Sequence, residues 1–172
     1  PLDGTTNFLH GLPHFAISIG LQRDNEPFAG VIYEPVHDEM FWAEKGQGAH
    51  LNDRRIRVSG RNAMDEALFA TGIPFMGARD HPLFLKQLEA VMAVSCGVRR
   101  FGSAALDLAY VAAGRYEGFW ETGLSPWDIA AGIVIVREAG GYVTEIDGKG
   151  KMLESGSILA ANDQLHGPLG KL

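Results

Sequence analysis

Phe15-Ala16-Ile17-Ser18-Ile19-Gly20-Leu21 alternates so that Phe15, Ile17, Ile19 and Leu21 fall on one face of an extended chain. That period of two predicts a half-buried antiparallel strand. The same pattern continues from His14 to Ser59. Arg23-Asp24-Asn25-Glu26-Pro27 supplies a turn, Phe28 to Tyr33 a second strand, and Glu34-Pro35-Val36-His37-Asp38 another turn before Met40 to Ala43. Gly46-Gln47-Gly48 can take positive φ without a Cβ clash, so Ala49 to Leu51 and Ile56 to Val58 complete a meander.

Beyond Ser59 the punctuation changes. Ala67 to Thr71 reads as a short strand closed by Gly72 and Pro74. Leu83, Leu85, Leu88, Val91 and Met92 fall mostly on one helical stripe, with Gly97 as its C-terminal glycine. Val98 to Phe101 is extended, Ser103 to Ala113 has the alanine and leucine content of a helix stopped by Gly114, and Tyr116 to Trp120 is again a strand. Ser125-Pro126-Trp127-Asp128 opens a helix that runs to Ala139 before Gly140-Gly141. Tyr142 to Ile146 and Ser157 to Ala160 are strands, and Asn162 can cap a terminal helix. Strands alternating with helices predict a sheet covered by helices. The expectation is an α+β chain in two regions, 1–62 and 63–172, packed as one unit without linker or repeat.

Composition excludes several functions. The 172 residues are 46% hydrophobic, enough for a substantial core, and 15 Lys and Arg against 21 Asp and Glu give a net charge of −6. That balance offers nucleic acid no basic surface, so none is expected as a primary partner. The single cysteine, Cys96, can form neither an internal disulfide nor a cysteine metal cluster, which points to a reducing, cytoplasmic setting. Ile129 to Val136 is too short to span a membrane and is interrupted by Gly132, and Pro1 to Thr6 lacks the plan of a signal peptide.

Four segments could carry chemistry. In Asp3-Gly4-Thr5-Thr6 a carboxylate beside a Gly-Thr turn can bind a hard divalent cation while the Gly4 and Thr5 amides face a phosphate; the bland alternative is Asp3 bonded to its own turn. Ser125-Pro126-Trp127-Asp128 forms a capping box, and Asp128 can serve a cation only if it turns away from its own cap. Arg99-Arg100-Phe101-Gly102-Ser103-Ala104-Ala105 enters a helix through a small-residue turn whose amides suit a hydroxyl or an anion, or form an ordinary cap. Glu121 ends an aromatic strand. The six histidines lack zinc-ligand spacing, and no nucleophile elbow or nucleotide-binding glycine loop is present.

Pro1-Leu2-Asp3-Gly4-Thr5-Thr6-Asn7-Phe8 resembles the first signature of the inositol monophosphatase family. Pro126-Trp127-Asp128-Ile129-Ala130-Ala131-Gly132 with Arg137-Glu138-Ala139-Gly140-Gly141 resembles the second, at a fitting distance. The resemblance covers essentially the whole chain. It implies a layered α-β-α-β-α sandwich of the sugar phosphatase type, here truncated at its N-terminus, and a Mg²⁺-dependent phosphomonoesterase that is a homodimer when full length. On matching positions, Asp3, Asp128 and the Leu2 carbonyl would be metal ligands, and Thr5 with Asp3 would serve catalysis by orienting the attacking water. Gly4 and Thr5 would hold the phosphate, and Gly102, Ser103, Ala104, Glu121 and Asp128 would line the substrate.

In the family an Asp precedes the position of Pro1 and a Glu ligand lies further upstream, so the chain reads as the C-terminal two thirds of a phosphatase. Alone it is expected to be severely impaired and to expose apolar faces. The implied substrate is inositol monophosphate or a related polyol or sugar phosphate, since relatives with both signatures act on fructose bisphosphate, histidinol phosphate or nucleotide bisphosphates. The rival is a noncatalytic partner-binding scaffold, or an inactive fragment, of the same fold.

Overall fold

In a computed structural model, which describes residues 1–75 and 81–172, the first sheet grows strand by strand in chain order. β1 (Leu2–Asp3), β2 (Ala16–Arg23), β3 (Glu26–Glu34), β4 (Glu39–Glu44), β5 (Gly48–Leu51) and β6 (Arg54–Ile56) are neighbours, each pair antiparallel. A short helix, α1 (Thr5–Leu9), follows β1 where the sequence suggested only a turn. The β2–β3 turn is tighter than expected. Asp24 and Asn25 both take positive φ, 53° and 62°, as a two-residue hairpin requires, so the strand resumes at Glu26 and Pro27 pairs with Gln22 beside a register shift. β6 ends sooner than expected because the Val58 amide leaves the sheet and donates to the Ala139 carbonyl at 3.1 Å.

The second sheet is mixed. Among the described residues it contains β7 (Leu68–Thr71), β8 (Gly97–Arg99), β9 (Gly118–Glu121), β10 (Tyr142–Thr144) and β11 (Ile158–Ala161) in the order β10-β11-β9-β7-β8, with β7 parallel to β8 and β9. α3 (Ala104–Ala112) and α4 (Pro126–Glu138) lie between the two sheets, and α2 (His81–Met92) and α6 (His166–Leu169) cover the far side of the second. A single turn, α5 (Met152–Ser155), packs on α4. The expected layered order is thus present as sheet, helices, sheet, helices. α2 ends at Met92 rather than running on to Gly97: Ala93 and Ser95 donate back to Glu89 and Val91, and Gly97 lies in β8 opposite Leu68. No helix among the described residues is long and apolar enough to cross a membrane.

The face of β2 that turns inward reverses the expectation. Ile17, Ile19 and Leu21 are 43%, 60% and 55% exposed, whereas Ala16 and Ser18 are buried. The reason is α4. Gly20 and Gly30 pair across β2 and β3, and a Cβ on Gly30 would stand 2.6 Å from the Ala131 Cα and 2.7 Å from its carbonyl oxygen. A Cβ on Gly20 would meet that of Ala130 at 2.8 Å. On the other side of the helix, a Cβ on Gly132 would lie 2.6 Å from the Leu108 Cβ of α3. Only small residues allow such an approach, so the large ones of β2 point outward.

This packing is testable at one position. Gly30→Ala has backbone, not a flexible side chain, in its way, so it should destabilise the fold by about 1–3 kcal/mol. Gly150→Ala meets nothing within 4 Å and should not. Denaturant midpoints decide; equal midpoints for the two variants would contradict the close approach.

Candidate active site

β1 ends at Asp3, whose side chain crosses to the start of α3. Its Oδ2 accepts the Ser103 hydroxyl at 2.6 Å and the Ala105 amide at 2.8 Å. The turn-bound alternative is therefore not what forms, and the carboxylate sits where unpaired amides and the helix dipole favour negative charge. Ser103 is itself the N-cap of α3 and accepts from the Leu106 amide at 3.3 Å. Of the readings offered for this turn the helix cap is the one that forms, and the Ser103 hydroxyl is buried in it. Ala104 is buried beside it.

Gly4 takes φ +82° as the residue before α1, and a Cβ there would lie 2.9 Å from the His14 carbonyl oxygen. The first bond of α1 runs from the Phe8 amide to the Gly4 carbonyl, so the amides of Thr5 and Thr6 precede the helical ladder. Thr5 is exposed. Leu2 stands opposite Ile17 while the Ser18 amide bonds the Pro1 carbonyl, a register that turns the Leu2 carbonyl away from β2 toward the open edge. Asn7 had no role in the sequence reading. It donates to the His14 carbonyl at 2.8 Å and the Phe101 carbonyl at 2.7 Å, joining the Asp3 segment to the Gly102 turn; its place inside the first signature was the one available signal, and it does not reveal these partners.

Asp128 bonds to its own cap. Its Oδ2 accepts the Ser125 amide at 2.9 Å and completes the capping box, while Oδ1 has no hydrogen-bond partner among the described residues. The capping bond of the two readings is the one present, and it uses one oxygen only. The Ser18 hydroxyl fastens the start of α4 by donating to the Trp127 carbonyl at 3.2 Å. Glu121, at the end of β9, lies over Gly72, where a Cβ would overlap its carboxyl group. Gly72 is thus a further residue of the site, legible only as a glycine directly after a strand.

The acids feel one another. Burial raises the Glu121 pKa, with Asp3 and Asp128 adding to the rise. Burial likewise raises Asp128 against the pull of its Ser125 bond, and Asp3 adds to it. Asp107 on α3 is fully buried with Oδ1 unpartnered, and burial, Glu121 and Asp3 push it well up. Oxygen donors crowded by like charge suit a hard divalent cation. Among the described residues no group of three or more His, Cys, Asp or Glu side chains stands close enough to hold a metal ion.

The sequence and the layered sheets have a counterpart in known proteins. The sequence model of the "Inositol monophosphatase family" matches residues 1–171. An inositol-1-monophosphatase of Mesorhizobium japonicum is 58% identical over 163 residues, covering 95% of this chain and 61% of the relative. The crystal structure of extragenic suppressor protein suhB from Bartonella henselae superimposes with a TM-score of 0.97 at 53% identity, over 99% of this chain and 66% of that one. A crystal structure of inositol monophosphate-bound SaIMPase-II gives a TM-score of 0.88 at 30% identity, over 99% and 66%. The chain spans about three fifths of the length of the curated relative. Sequence match, shared fold and the two carboxylate-bearing signatures agree: the chain belongs to the inositol monophosphatase family.

Proposed function

We propose that this protein is a Mg²⁺-dependent phosphomonoesterase that releases phosphate from inositol monophosphate or a related polyol phosphate. One observation carries the reading: Asp3 and Asp128, 125 residues apart in sequence, are held in one electrostatic neighbourhood, each by one oxygen with the other left without a partner. A relative named inositol-1-monophosphatase and a neighbour solved with inositol monophosphate support the substrate class. The reading places the protein in the cytoplasm, on its single cysteine, and as a homodimer, with regions 1–62 and 63–172 each contributing one of the two carboxylates.

Asp3, Asp128 and the Leu2 carbonyl would hold the cation, with further ligands from outside this set; when bound, it lowers the pKa of a water and neutralises charge on the phosphoryl group. Ser103 and Ala105 keep the Asp3 carboxylate from rotating, so its outer oxygen is aimed before anything binds. Thr5, exposed beside it, orients the attacking water through its hydroxyl. The Gly4 and Thr5 amides bind the phosphate oxygens. The Gly102 and Ala104 backbone and the Glu121 carboxyl contact the alcohol portion. In the cation-free fold Glu121 has a pKa raised from 4.5 to about 8, so near neutral pH it is a carboxylic acid that can both donate to and accept from a hydroxyl.

Three outcomes are expected. Asp128→Asn in the protein as its gene encodes it should weaken Mg²⁺ affinity about tenfold or more, read by titration, and lower turnover with it; a noncatalytic scaffold would show neither change. Glu121→Gln should raise KM for inositol monophosphate roughly fivefold, the loss of a hydrogen bond worth about 1 kcal/mol, and should do less to an aryl phosphate. Equal effects on both substrates would remove the hydroxyl contact. In cation-free protein, Glu121 binds its proton more tightly folded than unfolded, so stability falls as pH rises from 4.5 to about 8. Glu121→Gln should flatten that slope in denaturant midpoints across the same range, and an unchanged slope would contradict the raised pKa.

A further inference from the structure

His14 stands where the Gly4 turn and the Gly102 turn meet. Its carbonyl oxygen accepts from the Asn7 amide at 2.8 Å, the same side chain that holds the Phe101 carbonyl at 2.7 Å, and lies 2.9 Å from the place of a Cβ on Gly4. Its ring packs on Phe101 with centroids 5.0 Å apart, and Phe101 is stacked in turn on Tyr116 at 6.4 Å. Tyr110 of α3 meets the imidazole edge-on at 6.0 Å. The ring thus wedges the residue before Gly102 against the segment that carries Asp3 and Gly4. Its Nε2 is buried and has no hydrogen-bond partner among the described residues.

A neutral imidazole can leave Nε2 as a bare lone pair, whereas the cation carries N–H on both nitrogens. Protonation would set a donor at Nε2 where no acceptor stands, a buried orphan that the ring escapes only by leaving Phe101. The charged groups around it give no remedy. Glu34 of β3 spends its carboxylate oxygens on the Val36 and His37 amides and the His37 ring, and Asp3 of β1 has its Oδ2 held by Ser103 and Ala105. On the α3 side the Arg115 guanidinium lies 4.5 Å from the Tyr110 ring centre and pairs with Glu39. Burial lowers the His14 pKa from 6.5; Glu34 and Asp3 pull it back up, and His37 adds to the fall. We propose that His14 is a positioning residue: neutral, it holds the Gly102 turn in place for the alcohol portion of the substrate, and protonated, it lets that turn go. The inference rests on the phosphomonoesterase reading above and adds to it a loss of substrate affinity in acid.

The test compares the protein as its gene encodes it with His14→Phe, which keeps an aromatic ring against Phe101 and takes no proton. Both are assayed on inositol monophosphate at saturating Mg²⁺. The ester itself titrates near pH 6 for both proteins, so the ratio of their KM values is what counts. From about pH 7.5 down to about pH 5.5 the wild-type KM should rise roughly threefold relative to that of His14→Phe, with kcat moving in parallel in the two. A ratio that does not change with pH overturns the inference. If His14→Phe does not fold, nuclear magnetic resonance of the wild-type protein, without substrate or Mg²⁺, decides. The His14 ring and the Gly102 amide should titrate with one shared midpoint below 6.5. A Gly102 amide that ignores the titration of His14 overturns the inference too. Because this second readout needs no turnover, a protein that hydrolyses no phosphate ester sinks the phosphatase reading while the shared midpoint still decides the hold of His14 on the Gly102 turn.

Discussion

The approach of α4 to its two neighbours governs the rest of the molecule. The helix touches the first sheet through the Gly20 and Gly30 pair and takes the Leu108 side chain of α3 against Gly132, so a glycine stands at each approach. Its ends are pinned as firmly. The Trp127 carbonyl accepts from Ser18 at the start, and at the finish both carboxylate oxygens of Glu138 accept amides of the Gly46-Gln47-Gly48 turn, each at 2.8 Å. Since Asp128 occupies the first turn of this helix, its position follows from these close approaches together with the hydrogen bonds at the helix ends. Packing at this density transmits displacement rather than absorbing it.

Electrostatics pulls the other way. A fold that buries Asp107, Glu121 and Asp128 close to Asp3 disfavours their charged forms, first through burial and then through mutual repulsion, and the pKa of each of the three rises. The local remedy is directional: Asp3 is steadied by the Ser103 hydroxyl and the Ala105 amide, and Asp128 by the Ser125 amide. Each bond satisfies one oxygen and sets the angle of the other. Stability sacrificed at such a place is the usual mark of a site arranged for a ligand that carries the compensating charge.

Much of this was legible from residues alone. The meander, the helix from Pro126, the cap at Ser103 and the two carboxylate signatures all depend on local chemistry, which a linear reading sees. Errors arose where a distant partner decides the outcome. Ile17, Ile19 and Leu21 show a strand by their period, but which face is buried depends on a helix more than a hundred residues later that tolerates only Ala16, Ser18 and Gly20. The cap at Ser103 was legible, but not that its hydroxyl also holds Asp3, a hundred residues away. Gly72 and Asn7 escaped for the same reason: their roles are defined by Glu121 and Phe101, and neither contact has a sequence signature.

The meander of the first sheet has one more consequence, for synthesis on the ribosome. Its strands pair only with chain neighbours, so by Ile56 every backbone partner has been made. The glycine platform on its inner face, however, waits for a helix that ends at Glu138. At about 5–20 residues per second that interval of 82 residues lasts roughly 4–16 s. During it the nascent sheet has its strand pairs but not the helix that covers its inner face, the state in which a chaperone or a neighbouring nascent chain meets it first.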